Sequence, residues 1–392
     1  MLGLPTAKCW IFPRDVAWCN PNYKFGLQGM SMRIGLVIYG SLDTISGGYL
    51  YDRKLVEYLQ AQGHPVQLFS LPWRNYSRHL SDNFSQTVLQ KLRDLPVDVL
   101  IQDELNHPSL VWLNQRLRGK VTYPMISLVH HLRCSEDHPP LLKRCYRWLE
   151  RQYLKTVDGF IYNSQTTRTS VEALLEKPQS AVVAYPAADH LPSPPQPWLH
   201  EKHSDFWADA DPLRILFIGN VIARKNLHSL LAALALLPTE RWQLTVVGSL
   251  TTDVEYVARI RRQIKNARLD KAVHLTGSLP TTALLEQLRS HHLLAVPSYE
   301  GFGIVYLEAM NYGLPVIAST LGAAHEIVTH GQEGFLVDPT DVQQLAQHIG
   351  ELQQNRQRLL AMSQAARTRF ENHPTWQTST SKILSWLHEF SH

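Results

Sequence analysis

The sequence predicts an α/β protein of two doubly wound domains that face each other across a cleft. Three observations predict it. From Arg33 onward, short apolar runs of strand character alternate with amphipathic stretches of helical period, the pattern of a parallel sheet covered on both faces. That pattern dissolves once, in the proline-rich stretch His190 to Pro212, and then restarts. With 392 residues and 44% hydrophobic content, the chain is long and apolar enough for two such cores.

Residues 1–31 show neither period, and Met30 and Met32 stand directly before the first convincing strand. The expectation is a leader, disordered or an artefact of an upstream start, ahead of a first domain over 32–189. Its strands are Arg33 to Tyr39, Pro65 to Leu71, Val97 to Gln102, Tyr123 to His131, Gly159 to Ser164 and Ala181 to Pro186. Helical pattern fills the gaps, around Tyr49 to Gln62, Ser85 to Asp94, Pro108 to Leu117, Pro140 to Lys155 and Thr166 to Glu176.

Ligands of such sheets gather at the carboxyl ends of the strands. Gly47 and Gly48 follow the first strand and precede a helix, where glycine admits close approach and a helix amino end favours an anion. The pair reads equally as a turn. Asp103, Glu104 and Asn106 follow the third strand, as acceptor contacts or as a solvated loop. His130 and His131 close the fourth. Alternation sends one ring to the sheet interior and the other to the cleft, and His131 is the one expected to face substrate. A metal site from His130, His131, Cys134, His138 and Cys145 is not expected: the spacing fits no zinc pattern, and Cys145 falls in an apolar stripe with Leu141, Trp148 and Leu149. The same helix carries Lys143, Arg144, Arg147 and Arg151. Such a helix either lies on an anionic membrane or shows a solvated cationic face.

The stretch 190–212 is the linker. It holds Asp209-Ala210-Asp211, an Asp-x-Asp pair placed before a strand rather than after one, and read as solvated. A second domain over 213–373 has strands Leu213 to Gly219, Gln243 to Gly248, Ala272 to Gly277, Leu293 to Pro297 and Val316 to Ser319. Arg224 and Lys225 follow its first strand near a helix start, and two cations beside free N–H groups suit a diphosphate. The fourth strand leads into Glu300, then Gly301-Phe302-Gly303 opening a helix that carries Glu308. A final helix, within 374–392, is expected to cross back to the first domain.

Net charge is +4 and the pI about 8.8, compatible with anionic substrates and too weak to argue for nucleic acid. Four cysteines make no disulfide framework, which suits a reducing cytoplasm. No apolar run is long enough to span a bilayer.

From Met32 onward the chain resembles a family-4 glycosyltransferase of the GT-B fold, with two Rossmann-like domains. The carriers are SGG at Ser46 to Gly48, LVHH at Leu128 to His131, DGFIYNS at Asp158 to Ser164 and PAAD at Pro186 to Asp189. In the second half they are GNVIARKN at Gly219 to Asn226, EGFGIVYLE at Glu300 to Glu308, GLPVIAS at Gly313 to Ser319 and GFLVDP at Gly334 to Pro339. The two-glutamate segment is the most specific of these.

The resemblance implies a nucleotide-diphosphate sugar in the second domain and an acceptor in the first, with no cofactor. Glu308 would hold the ribose hydroxyls and Glu300 the donor sugar. Gly301, Phe302, Gly303 and Ile304 would line sugar and phosphate, as would the strand-end residues Gly219, Asn220 and Gly277. Arg224 and Lys225 would neutralise the departing diphosphate, with Gly47 and Gly48 approaching from the other side and His131 near the sugar. Many members have arginine where this chain has Asn220. The expectation is retention of configuration, no required metal, UDP ahead of GDP, and a glycan or lipid-linked acceptor. A phosphorylase, an epimerase or a non-catalytic binding protein of the same fold are the alternatives.

Overall fold

The structure, a computed structural model, describes residues 31–195 and 211–390. The leader, most of the linker, and Asp209 and Ala210 lie outside the described residues. The first domain is a sheet of β1 (Ile34–Tyr39), β2 (Val66–Leu71), β3 (Val99–Asp103), β4 (Met125–Val129), β5 (Gly159–Tyr162) and β6 (Ala181–Val183). Its order is β2-β1-β3-β4-β5-β6 with every pairing parallel. The second domain holds β7 (Leu213–Ile218), β8 (Trp242–Val247), β9 (Val273–Gly277), β10 (Leu293–Val296), β11 (Val316–Ser319) and β12 (Gly334–Val337). Its order is β12-β11-β10-β7-β8-β9, again all parallel. Strand β12 lies in the GFLVDP motif, outside the strands expected from the sequence.

Helices on both faces bury the central strands completely: every residue of β1, β3, β4, β5, β10 and β11 is buried. That is why these strands read as unbroken apolar runs. The edge strands β2 and β9 are partly exposed. Strand order reverses between β1 and β3 in one sheet and between β7 and β10 in the other. Successive crossovers leave such a point in opposite directions, which opens a crevice outside the carboxyl ends.

One element differs from expectation. The helix expected at Tyr49 begins at Gly47, because the Ser46 hydroxyl accepts from the Tyr49 amide at 3.3 Å and caps it there. In the helix Pro140–Leu154, Tyr146, Glu150, Tyr153 and Leu154 face inward, while Leu141, Cys145 and Trp148 are exposed. The apolar stripe is an outer face. The last helix, Trp376–Phe390, packs on the helix Gly47–Ala61 and on β6. Its Trp386 and Phe390 rings lie against Gly159 of β5, where an added Cβ would meet them at 2.8 and 2.9 Å.

Candidate active site

The β7/β10 crevice gathers the charged residues of the second domain. Past β7 the chain turns at Gly219 and closes a short helical turn, Ala223–Lys225. Past β10 it runs through Ser298 and Tyr299 to Glu300. Lys225 Nζ and Glu300 Oε1 lie 2.5 Å apart, and the Ser298 hydroxyl donates to the same oxygen at 2.6 Å. Burial works to raise the Glu300 carboxyl pKa, but Lys225, Arg224 and the Ser298 bond outweigh it, so the group sits below the usual range and is ionised. Arg224 donates to the Tyr299 carbonyl at 3.1 Å, and its Nε stands 3.7 Å from Glu136 of the first domain.

Two glycines shape the next turn. Gly301 passes so near the first domain that a Cβ would lie 2.5 Å from the His130 carbonyl oxygen. Gly303, at φ +100°, starts the helix Ile304–Asn311 in a conformation that side chains resist. That helix therefore opens its amino end on the cleft, with Ile304 near Gly47. One turn on, Glu308 accepts from His190 Nε2 at 3.1 Å, and His190 Nδ1 takes the Trp376 indole N–H at 3.4 Å.

From the first domain, Gly48 stands against His130, with 3.2 Å from an added Cβ to the ring. His130 Nε2 pairs with the fully buried Asp52 at 3.1 Å, and Asn163 donates to the His130 carbonyl at 2.7 Å. Burial disfavours the imidazolium, yet Asp52, Asp103 and Glu104 outweigh it and push the His130 pKa up to about 8. His131 points the other way, half-buried, to Glu136 at 3.0 Å, with its ring 6.3 Å from that of Tyr299. Glu136 thus lies between His131 of the first domain and Arg224 of the second.

The crevice brings together Arg224, Lys225, Gly219, Glu300, Gly301, Gly303, Ile304, Glu308, Gly47, Gly48 and His131. Other expected residues stand elsewhere. Asp103, Glu104 and Asn106 are buried, which removes both the solvated loop and an open acceptor surface. Asp103 caps the next turn through the Leu105 amide, Asn106 donates to the Asp103 carbonyl, and burial pushes the Asp103 and Glu104 carboxyls up to about 7. Phe302 turns its ring away, into a packing with Tyr185 and His373 at 5.8 and 5.9 Å, because an apolar ring gains more there than at a wet cleft. Asn220 accepts from the Ser249 amide at 3.3 Å, bracing a neighbouring loop. Gly277 ends the edge strand β9, two strands away from β7. The five histidines and cysteines weighed as metal ligands do not converge: His130 turns to Asp52, Cys134 is buried and Cys145 exposed.

Several partners had no place in the sequence reading. His190 looked like the start of a linker. Gly248 passes so close to Gly219 that a Cβ would sit 2.0 Å from its carbonyl oxygen. Asp52 did carry a signal, an acid on the inward face formed by Tyr49, Leu55, Val56 and Leu59.

Residues 201–369 match the profile of the family described as glycosyl transferases group 1. Over 301 residues the chain is 28% identical to O-antigen chain mannosyltransferase B of Escherichia coli, covering 72% of this chain and 75% of that protein. The chain is a glycosyltransferase, and its residues 201–369 are the part that matches group 1. The matched segment of the glycosyltransferase contains Arg224, Lys225, Glu300 and Glu308, so the β7/β10 crevice lies in the part that defines the family. A second relative is a GDP-mannose-dependent alpha-(1-6)-phosphatidylinositol monomannoside mannosyltransferase of Mycobacterium tuberculosis. It is 30% identical over 190 residues, 44% of this chain and 46% of that protein.

Among solved structures, sucrose-phosphate synthase of Thermosynechococcus elongatus superposes with a TM-score of 0.77 at 20% identity, covering 92% of the glycosyltransferase and 99% of that chain. The Anabaena protein HepE in complex with UDP-glucose gives 0.70 at 21% identity, with 91% and 100% covered. Two six-stranded parallel sheets with helices on both faces make the fold GT-B.

Proposed function

We propose that this glycosyltransferase is a family-4 enzyme. It takes a hexosyl group from a nucleotide-diphosphate sugar and places it, with retention, on a hydroxyl of a glycan or lipid-linked acceptor. The observation that carries the reading is the Lys225–Glu300 pair at the β7/β10 switch, beside a glycine-opened helix that bears Glu308. Cleaving a glycosyl–phosphate bond sends the electron pair to a diphosphate oxygen and leaves positive charge on the sugar ring. Lys225, Arg224 and the N–H groups of Gly301 to Ile304 favour the first; a donor held by its hydroxyls on Glu300 and Glu308 is positioned for attack. The acceptor oxygen then bonds to the anomeric carbon on the face the diphosphate leaves, and its proton passes to that diphosphate. With two cations at the leaving group, transfer runs without an added divalent ion and survives chelation.

The expectation from sequence ranks UDP above GDP. The Mycobacterium tuberculosis relative is named for GDP-mannose, and GDP-mannose therefore joins the UDP-sugars as a first donor to try. Free Cys134 and Cys145 support a reducing, cytoplasmic setting. No helix among the described residues is long and apolar enough to cross a membrane. A lipid-linked acceptor would be met at the membrane face, through Lys143, Arg144, Arg147 and Arg151.

The test is a donor-by-acceptor screen followed by mass spectrometry of product and by release of nucleoside diphosphate. Transfer with at least one donor is expected. Absence of release from every donor over a broad acceptor panel overturns the reading, and cleavage of a glycoside only on addition of inorganic phosphate replaces it with a phosphorylase.

A further inference from the structure

The helix Pro140–Leu154 has an outer face that water alone does not explain. At about 3.6 residues per turn, Leu141, Cys145, Trp148 and Gln152 line up opposite the buried Tyr146, Glu150 and Tyr153. Leu141 is 75% exposed and Trp148 54%, with Leu142 at 40% beside them. Cations line one side of this row: Arg144 and Arg147 are exposed and, like the exposed Lys143 in the first turn, enter no ion pair among the described residues, while Arg151 pairs with Glu176 at 3.0 Å. The only acid on the helix, Glu150, is fully buried on the opposite side. An exposed apolar row with a tryptophan at its centre, bordered by cations and free of carboxylates, fits the boundary between lipid headgroups and acyl chains. A nucleic acid would meet the cations and leave Leu141 and Trp148 in water.

The inner side of the same helix is tied to the loop that follows β4. Glu150 accepts from the amides of Arg133 and Cys134. The Arg133 guanidinium lies between the rings of Tyr76 and Tyr146, at 5.1 and 4.8 Å. The His138 ring stands 4.9 Å from that of Tyr146. Between these anchors sits Glu136, which holds His131.

We propose that the helix Pro140–Leu154 docks the protein on an anionic lipid surface by inserting Leu141, Leu142 and Trp148, and that this docking sets the loop 132–138, and with it the His131 edge of the cleft, against the membrane. The docking stands by itself; only its use in presenting a lipid-linked acceptor rests on the transfer reading above.

The test is flotation of the full chain with vesicles of phosphatidylcholine and phosphatidylglycerol, against phosphatidylcholine alone. Binding is expected only with phosphatidylglycerol, and is expected to weaken as salt rises. The pair Leu141→Ser and Trp148→Ser, and separately Arg144→Glu with Arg147→Glu, should each lower partition on the order of tenfold or more. Both variants should keep the melting temperature and the nucleoside diphosphate affinity of the parent. Hydrogen exchange of the vesicle-bound chain should slow at 140–154 and also at 132–138. No binding by the parent chain, or equal binding to both vesicle types, overturns the proposal. Binding that survives the serine pair but not the charge reversal makes the face a polyanion site and overturns insertion. Slowing at 140–154 without any at 132–138 overturns the link to the cleft.

Discussion

Glu308 and Lys225 are each held by one partner, and removing either leaves a different residue exposed to the consequences. Glu308 is steadied by His190, which is itself fixed by the Trp376 indole. If Glu308 grips the ribose, Glu308→Ala should weaken nucleoside diphosphate binding by about tenfold to a hundredfold, the worth of a charged hydrogen bond or two. His190→Ala should cost only a few-fold, and His190→Gln, which keeps a donor, should restore most of it. Calorimetric titration checks the order of the three; equal affinity in Glu308→Ala and parent rules out the ribose role. Lys225→Ala removes the cation from a buried carboxylate, a change worth about 3–5 kcal/mol when such a pair is broken. It should lower both donor affinity and melting temperature, whereas Glu308→Ala should leave the melting temperature unmoved. Arg224, Lys225, Glu300 and Glu308 were legible in the sequence because each falls just after a strand end or on the helix a glycine turn opens. Their partners were not. His190 is 118 positions from Glu308 and Asp52 is 78 from His130, separations that no local pattern encodes.

Among the elements, the helix Gln165–Leu175 has an end that the two domains share. Ser164 caps it from within its own chain segment, accepting from the Thr167 amide at 3.0 Å. Glu326, in the second domain, then accepts from the Gln165 and Thr166 amides at 2.9 and 2.7 Å and from the Thr166 hydroxyl. A carboxylate at a helix amino end satisfies N–H groups that the helix cannot, and meets the positive end of its dipole. This contact ties the helix after β5 to the turn after β11. Glu326→Ala should therefore speed hydrogen exchange at Gln165 and Thr166 on the order of tenfold, with the sheet interiors unchanged. Unaltered exchange at those two amides would show that the cap carries no weight. The helix itself was readable to within a residue from its period; its cap was not, because Glu326 belongs to another domain. The helix Pro140–Leu154 shows a different limit. Its period showed an apolar stripe but not which side would be buried, and Tyr146, Glu150, Tyr153 and Leu154 fill the inner face.

At the scale of the molecule, the first domain buries more ionisable groups than its cleft displays. Burial pushes the carboxyls of Asp103, Glu104 and Glu150 up to about 7, and Asp52, Asp103 and Glu104 together lift His130 to about 8. For the three carboxyls the folded chain binds more protons than the unfolded one, so stability falls as pH rises towards 7. For His130 the raised pKa gives stability that is whole below the ordinary imidazole value of 6.5 and is lost as pH rises through about 8. Above 6.5 these run in the same direction, while depressed imidazoles such as His107 and His373 oppose them only below it. The melting temperature should therefore drop by at least about 3 °C between pH 6.5 and pH 8.5, and Asp52→Asn should flatten the upper part of that slope. Scanning calorimetry across the range decides it, and a flat profile would mean that these groups titrate alike in both states. The contact of Trp386 and Phe390 with Gly159 has a consequence of another kind. Those partners are separated by the entire second domain, so on a ribosome the face of β5 at Gly159 waits for them until that domain has been translated. The domain translated first is the one completed last.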